Sequence, residues 1–134
     1  MKLLSADRST MATTIRDRIA GGSAGSPKIE FYTGTQPSSM GGAIGDTLLG
    51  TLTLTNTVGT VTGGVLTFDT ITDDSSADAN GDIGWARVLD RDGAEACYFT
   101  VADNGTGDIN FSNKTVTQGQ PVGISSLTVT IGGA

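Results

Sequence analysis

The sequence predicts an all-β fold, a two-sheet β-sandwich of jelly-roll type with about eight strands behind a short N-terminal helix. Three observations carry this. The chain is rich in Thr and contains 20 Gly, a mix suited to short strands and tight turns. Most of its apolar residues recur at alternate positions in runs of five to ten. Only one stretch, near the N-terminus, repeats with a helical period. A flat sheet of so many strands would leave long open edges, so two packed sheets are the better solution.

The 134 residues suffice for one core. We divide them into an N-terminal arm with its helix, residues 1–27, and a β-domain, residues 28–134. The opening Met1-Lys2-Leu3-Leu4 is followed at once by Ser5-Ala6-Asp7-Arg8, with no apolar run of a signal peptide. Asp7 or Ser9 is the expected cap of a helix over residues 10–20. Met11, Ile15 and Ile19 form its one narrow stripe, and Gly21-Gly22 ends it. The stripe is too thin for a central helix and suits the edge of a sheet or another subunit. Gly21–Pro27 reads as a flexible connector.

Residues 28–33, KIEFYT, alternate as the first strand. Residues 34–46 form a long Gly/Ser/Pro loop. In residues 47–55, Leu48, Leu52 and Leu54 share one face with Gly50, and Thr51, Thr53 and Thr55 the other. A weak strand lies within 56–64. Residues 65–72 are another strand, with Leu66 and Phe68 inward and Ile71 out of phase. Residues 82–101 form the clearest hairpin, turning at Asp90-Arg91-Asp92-Gly93, with Trp85 and Phe99 expected on one buried face. Short strands are expected near Ile109–Phe111 and Val116. Residues 122–131 read as one strand whose phase changes at Ser125-Ser126, a β-bulge.

Charge and composition narrow the chemistry. Five basic against two acidic residues give residues 1–28 a charge of +3, and three against twelve give the remainder −9. An acidic body argues against nucleic acid as partner, because phosphate binding needs dense positive charge. No run approaches membrane-spanning length. The chain has no His and one Cys, so the usual general base, the usual metal ligand and an intrachain disulfide are all missing. Asp78, Asn80 and Asp82 stand at i, i+2 and i+4, as at the start of a calcium loop. Gly81 falls at the fourth position instead of the sixth, and Leu89 stands where the twelfth-position carboxylate belongs, so a solvated Asx turn is preferred. Asp90 and Asp92 are read as exposed turn residues, not an acid/base pair. Cys97 is read as a buried, inert thiol. Tyr32, Trp85 and Tyr98 would make a sugar-binding platform only if exposed. No enzyme activity and no cofactor are expected.

The order of motifs carries a resemblance. A helix ending in Gly21-Gly22 precedes KIEFYTGTQP at 28–37 and LLGTLTL at 48–54. GVLT at 64–67, SSADANG at 75–81, WARVLD at 85–90 and VGISSLTV at 122–129 follow. This arrangement, covering most of residues 12–131, resembles small virion proteins of tailed bacteriophages, the head decoration or cement proteins. The chain departs from that pattern in the ten residues before Met11 and in a more acidic 73–82 loop. The resemblance implies a non-enzymatic β-domain on the outer surface of the capsid, contacting the major capsid protein and copies of itself as a dimer or trimer. Met11, Ile15 and Ile19 of the helix and Pro37, Met40 and Ile44 of the long loop are the candidate contacts. A tail or head–tail joining protein and, more remotely, a carbohydrate-binding module are the alternatives.

Overall fold

Alternation at Lys28–Tyr32 produces β1, the strand around which the largest sheet is built. The computed structural model describes residues 1–134 and is mostly β, with one helix. β1 pairs with β2 (Leu48–Thr53) on one side and with β6 (Trp85–Leu89) on the other, both antiparallel. β7 (Glu95–Ala102) continues from β6, and β8 (Ile109–Asn110) adds a short parallel pairing at Val101 and Ala102. The order is 2-1-6-7-8. β3 (Gly59–Thr62) and β4 (Val65–Phe68) form a hairpin, with β10 (Thr128–Thr130) along the other edge of β4. The β3–β4 turn is Gly63-Gly64, at φ 60° and 83°, the left-handed backbone that a two-residue hairpin turn requires. β5 (Gly81–Asp82) and β9 (Thr115–Val116) make a separate ribbon. Ile29, Phe31 and Val88 of the large sheet and Leu66 and Phe68 of the smaller one belong to a single apolar core.

The helix α1 runs Ser5–Ile19 and starts five residues earlier than the sequence suggested. Leu4 occupies the N-cap position and no side chain caps it. Ser9, an expected cap, instead accepts a hydrogen bond from the Gly64 amide at 3.0 Å. Arg8 Nη1 donates to the Gly63 carbonyl at 3.0 Å. The polar residues of the first turns therefore dock the helix onto the β3–β4 turn. The buried side is Ala12 and Ile19, with Ile15 half-buried, while Met11 is 45% exposed. A four-residue repeat outruns the 3.6-residue turn, so Met11 and Ile19 sit about 80° apart around the axis. Spacing i, i+3, i+7 from Ala12 follows the axis more closely. The helix lies against β3, β4 and β7 of its own chain.

Three further expectations need correction. The β1–β2 register shifts at Phe31/Tyr32, so Phe31 faces Gly50 and Tyr32 faces Leu48. Leu49 is the extra residue of this bulge and is wholly buried, while Leu48 is only half-buried. The β6–β7 register places Ala86 opposite Phe99 and Trp85 opposite Thr100. Trp85 and Phe99 therefore point to opposite faces of the sheet. Residues 122–131 are not one strand. Val122 bridges Asp74, regular pairing resumes only at Thr128, and the two serines lie in the gap. The Leu3 amide donates to the Gly133 carbonyl at 2.7 Å, which ties the first residues to the C-terminus.

The β2 bulge makes a specific expectation. Leu49→Ala removes a fully buried side chain and lowers unfolding free energy by about 3 kcal/mol. Leu48→Ala costs about 1 kcal/mol or less. Urea denaturation of the two variants checks this, and equal costs would contradict the bulge.

Candidate interaction surfaces

With no His in the chain, the carboxylates are the groups most able to do chemistry. Asp90, expected in an exposed turn, is the one charged residue in the buried set. Its Oδ2 accepts from Arg18 Nη1 at 2.7 Å, and its Oδ1 accepts from the Asp92 and Ala94 amides at 3.0 and 2.9 Å. Burial alone would raise its pKa. Arg18 and the two amides outweigh that and hold the carboxyl below its ordinary value. Asp92 Oδ1 accepts from the Ser23 and Ala24 amides at 2.9 and 2.8 Å, which lower its pKa too. Arg91 Nε donates to the Gly25 carbonyl at 2.9 Å. The Gly21–Pro27 connector is thus clasped by the hairpin turn and is not free. Neither aspartate has the raised pKa of a general acid.

The i, i+2, i+4 trio of the 73–82 loop is used in the same structural way. Asn80 Oδ1 accepts from the Gln118 amide at 2.8 Å, and Asp82 Oδ1 from the Thr115 hydroxyl at 2.7 Å. The Asp78 carbonyl accepts from Gln118 Nε2 at 3.2 Å. These bonds fasten the loop to β9 and its following turn. No three His, Cys, Asp or Glu side chains come together in the structure.

On the outer face of the large sheet, three aromatics meet. Tyr32 stacks on Trp85 with ring centroids 5.0 Å apart, and Tyr98 lies 4.9 Å from Trp85 on its other side. Glu30 Oε2 accepts from Tyr32 Oη at 2.6 Å and from Arg87 Nη2 at 2.7 Å. Burial, then the Glu30 carboxylate, push the Tyr32 phenol up to about 12. Burial opposes the Arg87 charge, yet the Glu30 bond leaves its pKa raised. The Tyr98 hydroxyl and Glu95 Oε2 are buried without a well-aligned hydrogen bond, although Glu95 is near enough to raise the Tyr98 pKa.

The 34–46 loop covers this face. Trp85 Nε1 donates to Asp46 Oδ2 at 2.9 Å, and Thr33 and Thr47 close the loop's base with two bonds of 3.0 Å. Gly84 packs directly beneath the Gly34 carbonyl, where a Cβ would collide. Trp85 is 0% exposed, so the three aromatics do not form an open sugar platform. The loop displays Met40, which is 47% exposed, with Pro37 and Ile44 half-buried.

The second surface lies at the other face. Ile15 and Ile19 of α1, Ala96, Cys97 and Phe99 of β7, and Val129 of β10 line an apolar cavity of about 290 Å³ that opens to solvent. Ile19, expected as a contact, is 1% exposed and forms part of the floor. Met11 lies one turn along from Ile15 and extends the apolar surface. Cys97 is half-buried, not fully buried, and burial followed by the nearby Asp108 charge raise its thiol to about 11. The candidate contacts therefore form two groups on opposite faces of the large sheet. Periodicity marked the helix side of the groove. Its β7 and β10 walls, and the Arg18–Asp90 link across 72 residues, leave no local signal.

No protein-family model, curated protein or solved structure matches the chain. No helix is long and apolar enough to cross a membrane.

The aromatic face has a readable titration. Folded protein should show little tyrosinate absorbance near pH 10, and Glu30→Gln should bring the Tyr32 midpoint down from about 12. The folded state holds these protons more tightly, so their contribution to stability is complete below about pH 10 and is lost as pH rises beyond it. A normal tyrosine titration in the folded protein would contradict the buried face. Acrylamide should quench Trp85 weakly, and Asp46→Ala should increase that quenching; strong quenching of the parent would contradict the covered indole.

Proposed function

We propose that the protein is a virion structural protein of a tailed bacteriophage, a head decoration or cement protein on the outer surface of the capsid. Its partners in this reading are the major capsid protein and further copies of itself. The motif order from Gly21-Gly22 to VGISSLTV supports the family. The observation that carries a binding role is the solvent-open apolar groove between α1 and β7, flanked by the exposed Met11. The exposed Met40 loop supplies a second contact on the opposite face. Many modest contacts of this kind, repeated over a lattice, sum to firm attachment. The acidic balance of residues 29–134 disfavours nucleic acid.

The finer architecture belongs to the same proposal. A two-sheet sandwich is supported by the single core that Phe31 and Val88 share with Leu66 and Phe68. Jelly-roll wiring draws no support from the 2-1-6-7-8 order, in which β1–β2 and β6–β7 are neighbouring pairs.

Sedimentation of purified protein with undecorated heads tests the reading. Saturable binding at hundreds of copies per head is the expected result. Met11→Glu and Met40→Glu should each weaken binding about tenfold, a loss of roughly 1.4 kcal/mol, without altering the circular dichroism. Recovery with tails at a few copies per particle would favour the tail or joining role, and absence from virions would end the proposal.

A further inference from the structure

β7 is eight residues long but is only partly covered on its outer edge. β6 pairs with it from Glu95 to Thr100 on one side, whereas β8 meets only Val101 and Ala102 on the other. The outer edge from Glu95 to Thr100 has no strand beside it. Its two ends are held by side chains of opposite charge. Arg18 Nη2 donates to the Glu95 carbonyl, and Asp108 Oδ2 accepts from the Thr100 amide at 2.9 Å and its hydroxyl at 3.0 Å. The Thr100 amide thus points away from β6, and by the alternation of an antiparallel ladder so do the Tyr98 amide and carbonyl. The apolar groove of Ile15, Ala96 and Cys97 runs alongside this open stretch.

We propose that this edge is the contact between two copies of the chain, with β7 pairing antiparallel to β7 of the second copy about a two-fold axis near Tyr98. The inference rests on the self-association in the proposed function and names its surface. Charge complementarity selects the occupant. An antiparallel two-fold brings Arg18, at the Glu95 end, to Asp108 of the second copy, at its Thr100 end, and repeats the match by symmetry. Arg18 uses two of its five donors within its own chain, and Asp108 Oδ1 accepts no bond there. Any other strand would have to supply the same opposed pair of charges; an identical chain supplies it automatically. The same axis turns the Met11–Ile15 flank of each helix toward the other.

The test uses the purified full-length chain. Sedimentation should show a monomer–dimer equilibrium, with the Tyr98 amide exchanging at least about tenfold more slowly in the dimer. Cys97 of the two copies would be diagonal neighbours about 7–8 Å apart, so a short bismaleimide should link them, and Cys97→Ser should not be linked. Asp108→Asn keeps the cap on Thr100 but removes the charge, and should weaken the dimer severalfold, as should raised salt. A chain that stays monomeric at millimolar concentration overturns the inference. So does a dimer in which Tyr98 exchange is unchanged and Cys97 does not cross-link. Heads that bind the chain while Tyr98 exchange never changes remove this inference alone. Dimers that form but ignore heads remove the capsid reading alone.

Discussion

The Asp90 carboxylate is the joint on which the arrangement depends. It takes the guanidinium of Arg18 from the end of α1 and two amides from its own hairpin turn. Beside it, Asp92 and Arg91 hold the 23–25 connector. One turn therefore fixes the helix end, the connector and the start of β7 together. The groove between α1 and β7 keeps its shape because both walls are tied to this point. A buried carboxylate is tolerated here because its oxygens are bonded and a cation faces it.

Strands were legible wherever alternation was clean, as at β1 and β4, and Gly93 closes the expected 90–93 turn at a left-handed φ of 85°. What sequence could not supply was register. Leu48 and Leu49 are adjacent and chemically identical, and only the bulge opposite Phe31 decides which enters the core. Parity within β6 and within β7 is likewise silent on how the two strands align. Trp85 consequently belongs to a second buried layer beneath the 34–46 loop, apart from Phe99. The helix began early because contacts with Gly63 and Gly64, far away in sequence, replace a local cap.

The candidate sites divide along the same line. Asp78, Asn80 and Asp82 carried a local spacing that suggested chemistry; in the fold the Asp82 side chain bonds β9, and the Asn80 side chain and Asp78 carbonyl bond Gln118 in the turn that follows. Met11 and Met40 carried no chemical signature, yet they are exposed apolar residues next to shaped surfaces. Long-range ion pairs such as Arg18–Asp90 and Arg87–Glu30 span 72 and 57 residues and have no periodicity to betray them. The polar groups of this chain are spent largely on holding irregular segments in place, and Met11 and Met40 are left exposed.

The most direct test is a double-mutant cycle on Arg18→Ala and Asp90→Ala, read by urea denaturation across pH. The folded-state pKa of Asp90 is lowered, so the stabilisation is present above the unfolded carboxylate value, near 4, and is lost as pH falls through the folded value. The account predicts a coupling of at least about 1 kcal/mol at pH 7 that fades in acid, with Asp90→Ala the costlier single change. A coupling near zero at pH 7, unchanged on acidification, would contradict it.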